Sequence, residues 1–310
     1  MNSNINQGQI AADDLNRLLT DRPETILIDL LSPDHFAGRH IPDAKNACVF
    51  QVSFLDDITA IAPDKKTPII VYGAGPNSRD AETAIEKLNR AGYEKISSLK
   101  GGLDAWRKAG HPLEGNAPQH QDDPQTNLTI ADGEYRIDSD ASRVEWTGRN
   151  PTTSHFGTVD IARGSIDIKN GKITGRVEID MTTIHNINLA GDELQPVLEA
   201  HLRSDDFFFT QMFPKATFIV TEAKRIEPGW LTAPNYRIKG ELSLRGVSAE
   251  LEFDATAATV DDGSLVIEAH FDMDRTRWNI IYGSTRFFEH LGMHKVFDLI
   301  SIQLRVFAGK

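Results

Sequence analysis

From about residue 132 onward, apolar and polar side chains alternate with a period of two through stretch after stretch, and this constrains the fold more than any other feature. In Ile173–Met181 the odd positions are apolar or glycine and the even ones polar. The same pattern runs through Tyr236–Arg245, Leu251–Ala257 and Leu265–Met273. A strand turns successive side chains to opposite faces, so each stretch is a strand with one apolar face. Lys169-Asn170-Gly171-Lys172 and Asp261-Asp262-Gly263 are turn sequences that join such strands into antiparallel hairpins. So many one-faced strands hide their apolar face and their edges by closing, and a barrel of about eight strands is the economical solution.

A barrel of that size is either packed solid or holds one small ligand. Its inferred inner face mixes large residues with Gly175, Ala216, Gly240, Ala255, Ala257 and Ala269. Small residues suit an open lumen and close packing equally, and the alternation leaves both open.

Before the barrel, residues 8–115 alternate short apolar strands with helical segments, which predicts an α/β domain with a parallel sheet and flanking helices. Residues 116–131 read as a linker, because Glu114–Asn127 has no apolar period, two prolines and many polar amides. The barrel domain then takes residues 132–310.

At 310 residues the chain has room for two domains, and 40% hydrophobic with 25% charged residues is ordinary for a globular protein. No apolar run approaches the ~20 residues that span a bilayer, so no stable membrane insertion is expected. The first residues carry neither a basic nor an apolar signal segment, and one cysteine excludes an intramolecular disulfide framework. A cytoplasmic location is the expectation. A net charge of −12 disfavours nucleic acid and anionic surfaces, leaving apolar or neutral ligands and protein partners. The reading admits a homodimer.

Pro68–Ala81 reads as a buried strand, a loop and a helix start. It resembles the active-site loop of the rhodanese-like family, whose cysteine thiolate takes up sulfur. Leu27-Ile28-Asp29-Leu30, Phe36–Ala44 and Leu99–Trp106 followed by Ala109-Gly110-His111-Pro112 are similar to further motifs of that family. Gly73 stands at the cysteine position; in a longer loop variant with two cysteines, Gly73 and Ser78 occupy both. Arg39 and Asp43 replace two further glycines. The resemblance therefore implies a degenerate loop, Gly73-Ala74-Gly75-Pro76-Asn77-Ser78-Arg79, with no catalytic residue. Arg79, near loop amides that precede a helix, is a candidate for holding an anion. Cys48 reads as a small core residue and His40 as a hydrogen-bonded turn residue. The domain is then expected to be a docking or regulatory module for a protein partner; the alternatives are a sulfurtransferase or phosphatase-like enzyme that uses another nucleophile, or a ligand-free scaffold.

In the second half, Val144–Arg149, His201–Phe208, Phe213–Phe218, Gly240–Val247 and Asp274–Trp278 recur in the order of the YceI-like family. That resemblance implies a lipocalin-like antiparallel barrel whose lumen takes a polyisoprenoid, a quinone-type tail or another fatty-chain lipid. It implies ligand contact by Trp146, Phe156, Val177, Ile179, His201, Phe207, Phe208, Ala216, Phe218, Leu242, Phe253, Trp278 and Tyr282. An Arg-Asp pair often precedes the family's histidine; here Glu199-Ala200 stands there. No cofactor beyond the bound lipid and no metal is expected. His290 and His294 are four apart without a third ligand, and Asp205-Asp206 reads as a helix end.

Overall fold

The computed structural model describes residues 8–21, 24–120, 128–227 and 231–310. The chain divides into two compact units, with the boundary after Asp123. Residues 121–127 of the expected linker lie outside the described residues. On the described side, the Asn116 and Ala117 amides donate to the carbonyls of Ala37 and Gly38, so the first unit reaches past residue 115.

The first unit is a five-stranded parallel sheet with helices around it. Its strands are β1 (Gln9–Ile10), β2 (Ile26–Asp29), β3 (Lys45–Asn46), β4 (Ile69–Tyr72) and β5 (Ile96–Leu99), in the spatial order β1-β5-β4-β2-β3. Every residue of Ile69-Ile70-Val71-Tyr72 is buried, as an apolar run in a parallel sheet covered on both faces must be. The helices are α1 (Ala12–Asp21), α2 (Pro33–Gly38), α3 (Phe54–Ile61), α4 (Asp80–Arg90) and α5 (Gly102–Lys108). Ser32 caps α2, its hydroxyl accepting the His35 amide, and Pro33 fits the first turn. Helix α4 carries Asp80 and Glu82 in its first turn and Lys87 and Arg90 in its last, matching its dipole. Cys48 is a buried free thiol in this core. His40 lends its Nδ1 to the Phe36 carbonyl at 2.7 Å, pinning the end of α2.

The second unit is the antiparallel barrel that the alternation requires. It comprises β6 (Gly133–Ile137), β7 (Arg143–Arg149), β8 (Ser154–Lys169), β9 (Lys172–Asn186), β10 (Lys215–Arg225), β11 (Tyr236–Leu244), β12 (Val247–Thr259), β13 (Leu265–Asp274) and β14 (Leu299–Gly309). Strands β6 and β7 share one stave, since each pairs with both β8 and β14, so nine strands make an eight-stave barrel. Pairing of β13 with β14, from Leu265↔Ala308 to Asp274↔Leu299, closes it. The β8–β9 hairpin turns at Asn170 and Gly171, both at positive φ, as the Asn-Gly signal dictates. Between β9 and β10 the chain leaves the wall to form α6 (Leu194–Arg203).

The inner register of β9 is the expected one, with Ile173 and Met181 buried and Gly175, Val177 and Ile179 facing the interior. One end of the interior is packed solid. Tyr135 and Tyr236 are buried there, Tyr236 pairs with Ala255, and Ala255 with Ala269. Asn235 plugs that end by exchanging side-chain hydrogen bonds with the backbone of Ala257. The small residues of the inner face thus do both jobs left open above. Ala255, Ala257 and Ala269 make room for packing, whereas Gly175 and Ala216 border open space.

Candidate functional site

The remaining interior is a cavity of about 280 Å³ bordered by side chains from every stave of the barrel. That is roughly twenty times the ~10–15 Å³ one water needs, yet the walls offer almost no hydrogen-bond partner. Of the residues expected to contact a ligand, Trp146, Val177, Ile179, Phe207 and Phe208 line it, as do Ala216, Phe218, Leu242 and Phe253. The aromatic floor is a stack: Phe253 lies on Phe271 with centroids 4.4 Å apart, and Phe218 tilts against Phe253 at 5.7 Å.

Four expected contacts lie elsewhere, each for a local reason. Phe156 falls on the outward side of β8 and is exposed. Trp278 is fully buried in the barrel's core without lining the cavity, and its indole N–H donates to the Leu242 carbonyl at 2.7 Å. His201 and Tyr282 pack edge to face, centroids 4.8 Å apart, outside the lining. His201 also pairs with Asp206 at 3.0 Å, so its ring is committed to the end of α6.

Polar groups gather toward one end of the cavity: Arg149, Asn150, His155 and Arg275. Arg275 is 1% exposed, and burial holds its guanidinium below the ordinary arginine range. Its fork donates to four carbonyls, those of Ile280, Tyr282, Val296 and Phe297. A planar guanidinium with five N–H groups is suited to gathering several acceptors at once. Arg275 therefore ties the segment after β13 to the segment before β14. Its motif, Asp274-Arg275-Thr276-Arg277-Trp278, is legible in the sequence, but its four partners come from segments with no periodic pattern.

In the first unit the Gly73–Arg79 loop follows the carboxyl end of β4, where open α/β sheets place their sites. The Gly73 and Ala74 carbonyls accept the Leu103 and Asp104 amides, so the loop is tied to the start of α5. Asp80, buried, accepts the Ala74 amide at 3.0 Å. A β-carbon at position 73 would stand 2.5 Å from Asp80 Cβ and 2.8 Å from its Cγ. Asp104 crowds Gly75 in the same way, its Oδ2 2.7 Å from where a β-carbon would be. The polar hollow of about 440 Å³ beside the loop also includes Glu82. Arg79 does not turn toward the loop; it is mostly exposed and pairs with Glu82 at 3.0 Å.

Beneath the loop, burial raises the Asp29 carboxyl to about 6, against the Tyr72 hydroxyl and the Leu31 amide, which favour the carboxylate. Asp29 Oδ1 accepts that amide at 2.8 Å, whereas Oδ2 has no partner at hydrogen-bond geometry. The Tyr72 hydroxyl, which accepts the Ile41 amide at 3.0 Å, is pushed well above its ordinary range by burial and by Asp29. Among the described residues, no group of three or more His, Cys, Asp or Glu side chains is placed to hold a metal. Likewise, no helix among them is long and apolar enough to cross a membrane.

Comparison with known proteins agrees with this division. A protein of Synechocystis sp. is 33% identical over 94 residues, 30% of this chain, and the chain spans about half (49%) of that relative's length. A protein of Allochromatium vinosum named as a sulfurtransferase is 26% identical over 106 residues, 34% of this chain and 92% of the relative. A solved structure from Saccharophagus degradans, described as a polyisoprenoid binding domain, is 13% identical with a TM-score of 0.40, covering 56% of this chain and 97% of that one. Residues 11–109 match the family model of the rhodanese-like domain, and residues 135–308 match that of the YceI-like domain. With more than half its length in that second match, the chain belongs to the YceI-like family and carries a rhodanese-like domain at its N-terminal side.

Proposed function

We propose that the chain carries or senses one long, weakly polar lipid of polyisoprenoid, quinone-tail or fatty-chain type, held in the barrel cavity. The observation behind this reading is the cavity: about 280 Å³, walled by apolar side chains from all staves, packed shut at the Tyr135–Tyr236 end, with polar groups toward the other. An apolar chain entering it releases no buried polar group from water and gains burial at roughly 25 cal/mol per Å². A polar metabolite would lose its water with nothing to replace it. Polyisoprenoid binding as described for the Saccharophagus relative is in keeping with this reading. Native mass spectrometry of the purified chain, before and after organic extraction, tests it. A mass excess lost on extraction and restored by a polyprenyl alcohol is the expected result, and its absence at both stages points to a protein with a ligand-free barrel.

The rhodanese-like domain is read as a docking or regulatory module without thiol chemistry. Position 73 has no side chain, and Asp80 takes up the Ala74 amide of the loop. The competing reading, sulfur transfer by another nucleophile, draws on the Allochromatium relative's name. A sulfurtransferase assay that compares the chain with its Cys48→Ala variant separates the two, because a rate lost in that variant shows a relocated thiol.

A further inference from the structure

The rim at the polar end of the cavity is unusually apolar on its outer side. Met293 is 94% exposed, Leu194 and Val197 on α6 are about 60% exposed, and Phe287, Phe297 and Phe156 are about half exposed. These residues come from three separated segments, and hydrogen bonds and ring contacts join them with the end of β7 into one circuit. The Phe297 amide donates to the Arg149 carbonyl at the end of β7, and the Ile187 amide donates to the Phe156 carbonyl on β8. The Asn186 amide donates to Glu199 on α6. His201 of α6 packs on Tyr282, whose hydroxyl bonds His294 at 3.0 Å, one residue from Met293. The circuit then returns to Phe297.

This collar is continuous with the cavity. Phe297 is at once half exposed and part of the cavity wall, and α6 turns Leu198 and Leu202 inward while Leu194 and Val197 face out. An apolar path thus runs from the lumen over the rim to the outer surface. Exposed apolar surface of this kind is a liability in water unless something covers it. We infer that the collar seats the barrel mouth on the surface of a lipid bilayer, Met293 and Phe287 entering the headgroup region, so that a lipid chain passes into the cavity without crossing water. This rests on the reading that the cavity takes a lipid chain.

The charges select the kind of bilayer. Between Gly283 and Asp298, Arg286 and Lys295 are balanced by Glu289 and Asp298, and Asp192 and Glu193 just before α6 offset Arg149 at the end of β7. The collar therefore offers an anionic surface no electrostatic attraction, consistent with a chain of net charge −12. Docking rests on apolar insertion and is reversible, as for other peripheral amphipathic surfaces.

The test is flotation of the full chain with vesicles of neutral phosphatidylcholine at low and high salt, beside a Phe287→Asp/Met293→Asp variant. Both side chains are exposed and neither lines the cavity, so the variant keeps its fold, checked by circular dichroism. A thermal shift with geranylgeraniol reports the cavity separately. The expected result is salt-insensitive flotation that falls by about tenfold or more in the variant, from the loss of two inserted apolar side chains, with the geranylgeraniol shift unchanged. A chain that takes geranylgeraniol yet never floats overturns the docking alone, as does a variant that floats like the parent. Sedimentation showing that the same substitutions split a dimer assigns the collar to a second copy and also overturns it. Flotation without any shift or bound lipid sinks the cavity reading and leaves the docking.

Discussion

The carboxylate of Asp80 lies over Gly73, accepting the Ala74 amide at 3.0 Å and placing its own Cβ 2.5 Å from where a β-carbon of residue 73 would stand. The missing side chain at position 73 and the filling of its space by Asp80 are one arrangement. A glycine here is what lets a buried carboxylate close the loop from within.

Placing a thiol at position 73 alone is therefore expected to give no activity, because Asp80 occupies its space. The parent chain and Gly73→Cys are both expected to transfer no sulfur from thiosulfate above background. Gly73→Cys forces Asp80 and the start of α4 to move, which should show as a loss of thermal stability in the first unit. Gly73→Cys/Asp80→Gly removes the obstruction, and its thiol should react faster with an alkylating reagent than the single variant's. Equal labelling rates in the two variants would contradict the steric account.

Cavity occupancy should scale with chain length. A ligand that binds only the folded state stabilises it by RT ln(1 + [L]/Kd), about 2.7 kcal/mol at one hundred times Kd. Polyprenyl alcohols of increasing length should raise the melting temperature of the barrel progressively until the cavity is full. Ala216→Arg, on the cavity wall, should abolish the shift in a folded protein, because the charge fills the space and resists desolvation. Ala255→Arg, in the packed end against Tyr236, should instead unfold the barrel. A shift that ignores chain length in the parent chain refutes the elongated apolar site.

Arg275→Met should cost about 3 kcal/mol or more of barrel stability in a urea titration, because it strands four carbonyls that the guanidinium satisfies. Arg275→Lys should recover only part of that, since an ammonium lacks the planar fork. Amide exchange in residues 280–297 should rise in both variants, and unchanged protection there argues against Arg275 as the tie between these segments.

Asp29 gives the first unit a distinctive acid profile. Its folded value of about 6 lies above the ordinary 3.8, so the fold favours the protonated form. Its stabilising contribution is complete below about pH 4 and is lost as pH rises through 6, on the order of 2–3 kcal/mol at full ionisation. Asp29→Asn, which keeps an acceptor for the Leu31 amide, should flatten that part of the stability curve. Glu178 acts in the opposite sense in the barrel. Arg163, bonded at 2.9 and 3.0 Å, and Lys215 at 3.4 Å pull it down to about 2, so its contribution is present above about pH 4.5 and fades toward 2. Stability of the two units measured from pH 3 to 7 should therefore move in opposite directions for these two groups.

The sequence by itself determined the two architectures, because a period of two and an apolar run bounded by turns are local signals. Asn170-Gly171 fixes its hairpin without help from elsewhere, and Ile69–Tyr72 is too apolar to be anything but central in its sheet. The inner positions Gly175, Val177 and Ile179 follow from the same alternation. What the tertiary structure alone decided is how far the interior is filled, since Tyr236 and Ala255 meet only through the pairing of β11 with β12. The family resemblance implies lumen contact by Trp278 and Tyr282, yet the 3-10 turn at Arg275–Trp278 and the loop after it leave both outside the lining. The apolar collar arises the same way, from segments distant in sequence that the barrel brings together, and so do two of the four carbonyls on Arg275, those of Val296 and Phe297. Periodicity reports which face a residue occupies; only packing reports what stands opposite it.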